Sequence, residues 1–206
     1  MSNFQWIIDN AESISIDRNP IVGQTITRNQ TVRSTSRGNG IWKFTVKLPD
    51  GLRWTDHRGN ISRMEDLGKY STASISMAAT GQSWIYAYQG NSANSTGFIA
   101  SITQGSKTIT LTTSPTTASG YKFRAGDFIQ LGSSGRVYTV AADVAYNSNS
   151  VILNRSVIEA SATGVQLLVG VNCSWNVVCT EIPRFTLVAR DVITWSGPFV
   201  FFESMV

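Results

Sequence analysis

Charge is what this sequence has least of. Only 15% of its 206 residues are Asp, Glu, Lys or Arg, against about 25% in an ordinary globular protein. Exposed helix faces need Glu and Lys to stay in water, so the shortage excludes a charged helical bundle of the usual kind. Histidine occurs once, as His57, which excludes the His-rich ligand set of a typical catalytic zinc site. No apolar run approaches the roughly 18 residues that a membrane-crossing helix requires. The first residues, Met1-Ser2-Asn3-Phe4-Gln5-Trp6, show neither the basic segment nor the apolar stretch of a secretory signal.

Cysteine is also scarce, at positions 173 and 179 only. On one extended strand that spacing of six puts both side chains on the same face, about 20 Å apart at roughly 3.3 Å per residue. A disulfide needs Cα atoms within about 7 Å. Cys173 and Cys179 therefore read as small buried apolar groups of a reducing compartment.

Neutral polar side chains fill the gap that charge leaves. Ser, Thr and Asn together supply 59 residues. The apolar share is 42%, with six Trp, six Tyr and nine Phe, enough to bury a core and to exclude disorder. The net charge is +4 and unevenly placed: from Asp17 to Lys69 ten basic residues face five acidic ones, and from Tyr70 to Val206 seven face six. A basic surface attracts nucleic acid, acidic lipid or an acidic protein, although a solvated face is its ordinary meaning. Arg28, Arg33 and Arg37 lie in a polar stretch without interleaved aromatics, which argues against a stacking platform for single strands.

The dominant period is two. Ser13–Ile16, Gln24–Thr27, Ile41–Leu48, Ser74–Met77 and Trp84–Tyr88 alternate, as strands with one buried face do. Further strands are expected at Gly97–Ile102, Lys107–Thr112, Phe128–Leu131, Val137–Val140, Val151–Asn154, Val171–Glu181, Phe185–Val188 and Phe199–Phe202. Short strands separated by Gly, Ser and Asn turns indicate a sandwich or barrel. Gly38-Asn39-Gly40, Asp50-Gly51 and Gly132-Ser133-Ser134-Gly135 read as turns. One helix is expected, with Ser62-Arg63-Met64-Glu65 as its capping box, Ile61, Met64 and Leu67 on one face and Gly68 as its stop. Residues 89–97 and 160–164 are poor in large side chains and read as linkers. The expected plan is thus a discontinuous β domain over 1–93 plus 165–206, interrupted by a small β-barrel at 94–164. A continuous sandwich is the alternative.

Catalytic candidates are few. His57 lies in Trp54-Thr55-Asp56-His57-Arg58-Gly59-Asn60, which reads as a turn, and no Gly-x-Ser-x-Gly elbow offers it a nucleophile. Glu65 and Asp66 are consecutive on the expected helix, so their side chains diverge by about 100° and do not face one substrate. No catalytic, cofactor-binding or metal-binding residue is assigned. A hydrolase of cell-wall polymer would need carboxylates that converge from distant strands. Trp6, Trp42, Trp54, Trp84, Trp175 and Trp195 would stack on sugars if exposed, but most sit in alternating apolar strands, where core packing accounts for them.

Two sets of residues resemble a known group of proteins. Phe123-Arg124-Ala125-Gly126-Asp127-Phe128-Ile129-Gln130-Leu131, followed by Arg136-Val137-Tyr138-Thr139-Val140 and Val151-Ile152-Leu153-Asn154-Arg155, resembles a module of tailed-bacteriophage structural proteins. There, a basic-Ala-Gly-Asp start precedes a strand, a Val-Tyr-Val strand follows, and an apolar strand ends at a basic or proline corner. The ending Ile193-Thr194-Trp195-Ser196-Gly197-Pro198-Phe199-Val200-Phe201 resembles the terminal strand of the same proteins. About half the chain is covered, and it looks like a distal tail protein or related baseplate hub component. The resemblance implies a mainly β fold: a split barrel or sandwich domain with one short helix and an inserted, often OB-like, barrel. It implies a hexameric ring of identical subunits that joins the tail tube to the tip or hub proteins, with DNA passing through the lumen, no membrane span and no catalysis. It places the chain in the virion, assembled in the host cytoplasm. The basic 28–47 region would meet an acidic protein neighbour, since tight phosphate contacts would hinder DNA in transit. A carbohydrate-binding module for host-surface attachment is the competing expectation.

Overall fold

The computed structural model describes residues 4–18, 22–26, 32–36, 40–67, 71–78, 96–115, 119–133, 136–188 and 190–204. In chain order the elements begin with α1 (Gln5–Asp9), β1 (Ser13–Asp17), β2 (Val22–Ile26), β3 (Val32–Ser36), β4 (Lys43–Lys47), β5 (Leu52–Arg53), α2 (Trp54–Leu67) and β6 (Thr72–Ile75). Next come β7 (Phe98–Ile102), β8 (Thr108–Thr113), β9 (Tyr121–Phe123), β10 (Phe128–Leu131), β11 (Val137–Thr139), β12 (Val144–Ala145), β13 (Ser150–Ile152) and β14 (Ala162–Val169). The last strands are β15 (Trp175–Glu181), β16 (Phe185–Val188), β17 (Val192–Trp195) and β18 (Phe199–Glu203). The protein is mainly β, as its alternation and turn spacing require.

The chain falls into two compact units, Met1–Asn10 with Ala73–Asn176, and Ala11–Thr72 with Val177–Val206. The first contains a six-stranded antiparallel sheet in the order β11-β10-β14-β7-β8-β13. Its two end strands also meet. Val140 bridges Leu153, the Asn154 N–H donates to the Thr139 carbonyl at 2.9 Å, and the Ala141 N–H donates to the Ile152 carbonyl at 2.7 Å. The sheet is therefore curled until its two end strands touch at this bridge. Inside lie Phe98, Ala100 and Ile102 of β7, Ile109 and Leu111 of β8, and Leu167 and Val169 of β14, packed with Phe123, Ile129, Tyr138, Val151 and Leu153. Each fully buried Val, Leu, Ile or Phe contributes about 1.5–3 kcal/mol, while the threonines of β8 face outward. In the same unit the Gln5 side chain imitates a strand neighbour: its amide donates to the Ser76 carbonyl at 2.9 Å and accepts from the Ser76 N–H at 2.8 Å.

In the second unit, β1, β4, β18 and β15 lie side by side in one antiparallel sheet. Phe44, Val46, Val177, Cys179, Phe199 and Phe201 are buried on it. A smaller sheet runs β16-β17-β5, and β2 and β3 form a hairpin. A chain of ring contacts runs from Trp54 to Phe185 (5.3 Å), Trp195 (5.7 Å), Phe199 (5.0 Å) and Phe201 (6.5 Å). Offset and edge-on geometries of this kind add about 0.5–1.5 kcal/mol per pair beyond burial.

Several expectations need correction. The helix expected around 61–67 extends from Trp54 to Leu67, so the stretch 54–60 is its first half and Ser62 is interior. Its start is held by a residue far away in sequence, described below. A second helix, α1, was unexpected. Residues 162–164 are strand rather than linker: β14 carries the barrel on to Val169, and its irregular register between Ala162 and Val165 accommodates Gly164 at φ 73°. The segment Val171–Glu181 is not one strand. A 3-10 turn at Gly170–Asn172 precedes β15, so the straight-line separation of the two cysteines does not apply. Both cysteines are nonetheless free and buried. The ending is two strands, β17 and β18, with bends at Ser196 and Gly197. Trp84–Tyr88, residues 89–95, Arg28, Arg37, Gly38-Asn39 and Gly68 lie outside the described residues.

Candidate interaction site

The barrel's second turn explains why Arg-Ala-Gly-Asp is a unit. Gly126 has φ 97°, a conformation that favours glycine. Its N–H donates to the Val140 carbonyl at 2.8 Å, and the buried Asp127 carboxylate accepts the Arg124 N–H at 2.8 Å. Asp143 accepts the Ala125 N–H at 2.9 Å. The carboxylates pin the loop so that β10 starts at Phe128.

The following basic corner is a buried clasp. Arg155 is 3% exposed; its Nη2 donates to the Val137 carbonyl at 2.8 Å, and its guanidinium lies 4.7 Å from the Tyr138 ring centre. The Tyr138 hydroxyl donates to Glu159 and accepts from the Ile158 N–H at 3.0 Å. The other Glu159 oxygen accepts the Arg136 N–H at 2.8 Å. Burial first, and the Glu159 hydrogen bond second, push the Tyr138 phenol well above its ordinary range. Every one of these contacts is internal, so the cluster acts on the barrel rather than on a ligand. The Cys173 thiol is likewise pushed up by burial, which makes it a poor nucleophile.

The residues weighed for catalysis are not assembled. His57 is half-buried on α2, and Glu65 and Asp66 are exposed further along it. An open groove of about 340 Å³ is lined by Met64, Glu65, Ile182, Pro183, Arg184 and Phe185. That lining holds one carboxylate, whereas glycoside hydrolysis ordinarily uses a facing pair. Among the described residues, no three His, Cys, Asp or Glu side chains are grouped to hold a metal ion. Trp6, Trp42, Trp175 and Trp195 are each under 10% exposed, and half-buried Trp54 stacks on Phe185, so these indoles serve packing.

Within the basic 28–47 region, Lys43 and Lys47 are the cations whose side chains are described, and both are engaged by the chain itself. Lys47 pairs with Glu12 at 2.8 Å, and that contact raises the Lys47 pKa. Lys43 lies 5.9 Å from the Phe202 ring centre, and nearby Arg18 lies 5.4 Å from that of Trp42.

The surface that stands out is β16. Among the described residues it is the end strand of its sheet, paired on one side with β17. Thr186 is exposed, and Leu187 and Val188 are each 50% exposed. No Lys, Pro or bulge blunts the strand, although monomeric proteins ordinarily protect such edges. Phe185 anchors its start between Trp54 and Trp195, and exposed Arg184 and Arg190 flank it. The strand itself was legible in the sequence, but with one polar residue, Thr186, among four, it gives little sign of which face is wet.

One further contact positions this hairpin. Asp191 has φ 140°, unusual for a residue with a side chain. Its carboxylate accepts the Thr55 N–H at 2.9 Å and the Thr55 hydroxyl at 2.7 Å, and its carbonyl accepts the Trp54 N–H at 2.9 Å. The β16–β17 turn thus caps α2 in the manner of a local N-cap residue. The Thr55 side chain, then its N–H, holds the Asp191 pKa below the usual carboxylate value. No sequence pattern announces a cap supplied from 136 residues away. The chain matches no protein-family model, and a search of curated proteins finds no match.

Proposed function

We infer that this chain is a virion structural protein, a ring subunit at the distal end of a phage tail tube that joins the tube to the baseplate or tip complex. The observation that carries the reading is the exposed Leu187 and Val188 of β16, the end strand of its sheet among the described residues, in a chain whose buried polar groups fasten its own loops. Such an edge offers a row of backbone hydrogen-bonding groups to a neighbour. The resemblance of 123–155 and 193–201 to tailed-phage structural proteins supports it, because those residues form the Gly126 turn, the Arg155 corner and the β17–β18 ending. In this reading the partners are copies of the chain, the tail tube protein and the tip or hub proteins. DNA passes through the lumen, assembly occurs in the host cytoplasm, and the chain carries out no catalytic step. Among the described residues no helix is long and apolar enough to cross a membrane. Cryo-electron microscopy of the purified chain tests the reading: closed rings, expected with six subunits, support it, and fields of single 22.5 kDa particles overturn it.

A second reading has its own observation. Tyr121 on β9 and Tyr146 in the turn that follows β12, the strand paired with β9, are 41% and 46% exposed, with the Arg124 guanidinium 5.3 Å from the Tyr121 ring centre. Exposed rings beside a donor fork suit a sugar. In this reading the barrel is a carbohydrate-binding module for the host surface. Binding on a glycan array that Tyr121→Ala abolishes would favour it, and an array without hits removes it.

A further inference from the structure

A ring of identical subunits has to present two different surfaces that fit one another. Among the described residues of the unit formed by Ala11–Thr72 and Val177–Val206, several strands end a sheet, β2, β3 and β5 included, and two of these ends are flanked by exposed charges of unlike sign. One is β16. The other is β1, which among the described residues pairs on one side only, with β4. Their chemistry is opposite. β1 is bounded by exposed Glu12 and Asp17, and β16 by exposed Arg184 and Arg190. Two copies of β16 brought together would set arginines near arginines, and two copies of β1 would set carboxylates near carboxylates. One of each brings opposite charges together at both ends.

We propose that β1 of one subunit pairs antiparallel with β16 of the next, so that the two sheets join across the subunit boundary. Charge alone permits either strand direction, and side-chain alternation chooses. With Asp17 opposite Arg184, the antiparallel register sets Ile16 against Phe185, Ser15 against Thr186, Ile14 against Leu187 and Ser13 against Val188. Glu12 then lies within one residue of Arg190. Both isoleucines meet large apolar partners on one face, and that face covers the exposed Leu187. The parallel register with Glu12 opposite Arg184 instead opposes Ile14 to Thr186, Ser15 to Leu187 and Ile16 to Val188, so only one isoleucine meets an apolar partner and Leu187 faces a serine. Cross-strand apolar and opposite-charge pairs of the antiparallel kind are the stabilising unit of a sheet. The Lys47 contact of Glu12 is exposed and leaves the carboxylate accessible to a second cation.

This inference rests on the reading of the chain as a self-assembling ring, and engineered cysteines separate the two. Paired strand residues have Cα atoms about 4.5–5.5 Å apart, within disulfide reach. Ser15 and Thr186 are both exposed, and the natural cysteines are buried. Full-length Ser15→Cys and Thr186→Cys variants are mixed, treated with oxidised glutathione and run without reductant. The expected result is a band at twice the chain mass in the mixture and in neither variant alone. The double variant should give a ladder that ends at the ring number. In a companion experiment, Arg184→Glu with Arg190→Glu abolishes assembly, and mixing with Glu12→Lys, Asp17→Lys protein restores heterologous pairs. Wild-type rings with no cross-link in the mixture would overturn the strand pairing and leave the ring. A ladder that continues without a stop would support the pairing and overturn the ring. Single chains without cross-links would overturn both.

Discussion

At the scale of single residues, two polar groups carry more of the architecture than their composition suggests. Asp191 holds an unfavourable backbone conformation and is compensated by its three acceptor contacts with the start of α2. Asp191→Ala keeps the strain and removes the carboxylate, whereas Asp191→Gly removes both. The expected order of melting temperature is wild type, then Gly, then Ala, read by circular dichroism. Because the Thr55 contacts hold the folded-state pKa of Asp191 below the ordinary carboxylate value, its stabilising effect is present above the unfolded value and disappears as pH falls through the folded one. Asp191→Asn should therefore flatten the acid limb of the stability profile, and an unchanged limb would contradict the capping assignment. Tyr138 is the second group. Tyr138→Phe keeps the ring under Arg155 but removes the donor to Glu159 and the acceptor for Ile158. Those partners are half-buried and can be rehydrated, so the loss should cost about 0.5–1.5 kcal/mol by denaturant titration.

At the scale of elements, turn chemistry decides where strands begin. Gly126 has open space where a Cβ would sit, so Gly126→Ala meets no clash and tests the φ of 97° alone. The expected cost is about 1–2 kcal/mol, and a loss-free Ala variant would show that another turn geometry serves as well. Short apolar-rich strands bounded by turn residues were readable from the sequence. Phe128–Leu131 and Phe185–Val188 begin and end where the periodicity places them. Elements set by tertiary contacts were not. α2 starts at Trp54 because Asp191 caps it, so its local Ser62 signal misleads. β14 enters through Ala162-Thr163-Gly164, small residues that resemble a linker until β7 pairs with them. Closure of the barrel depends on Val140 meeting Leu153, and periodicity within either strand does not encode which strands will pair. The candidate surface was half legible: Phe185-Thr186-Leu187-Val188 reads as a strand, but its position at a sheet end is a property of topology.

At the scale of the whole molecule, the scarcity of charge and the edges of β1 and β16, each paired on one side among the described residues, point the same way. Ser- and Thr-rich strands can lie against a copy of themselves without strong repulsion, and in the proposed pairing the few charges that bound those edges set which edge meets which. Flanking charges of this kind act more on partner choice and encounter rate than on raw affinity. Raised salt should therefore slow assembly of the wild-type chain, followed by light scattering, more than it lowers the final yield. The most direct measurement is sedimentation velocity of the purified full-length chain over a concentration series. The account predicts a single closed species of six chain masses that persists on dilution. A boundary that stays at 22.5 kDa at every concentration would contradict it.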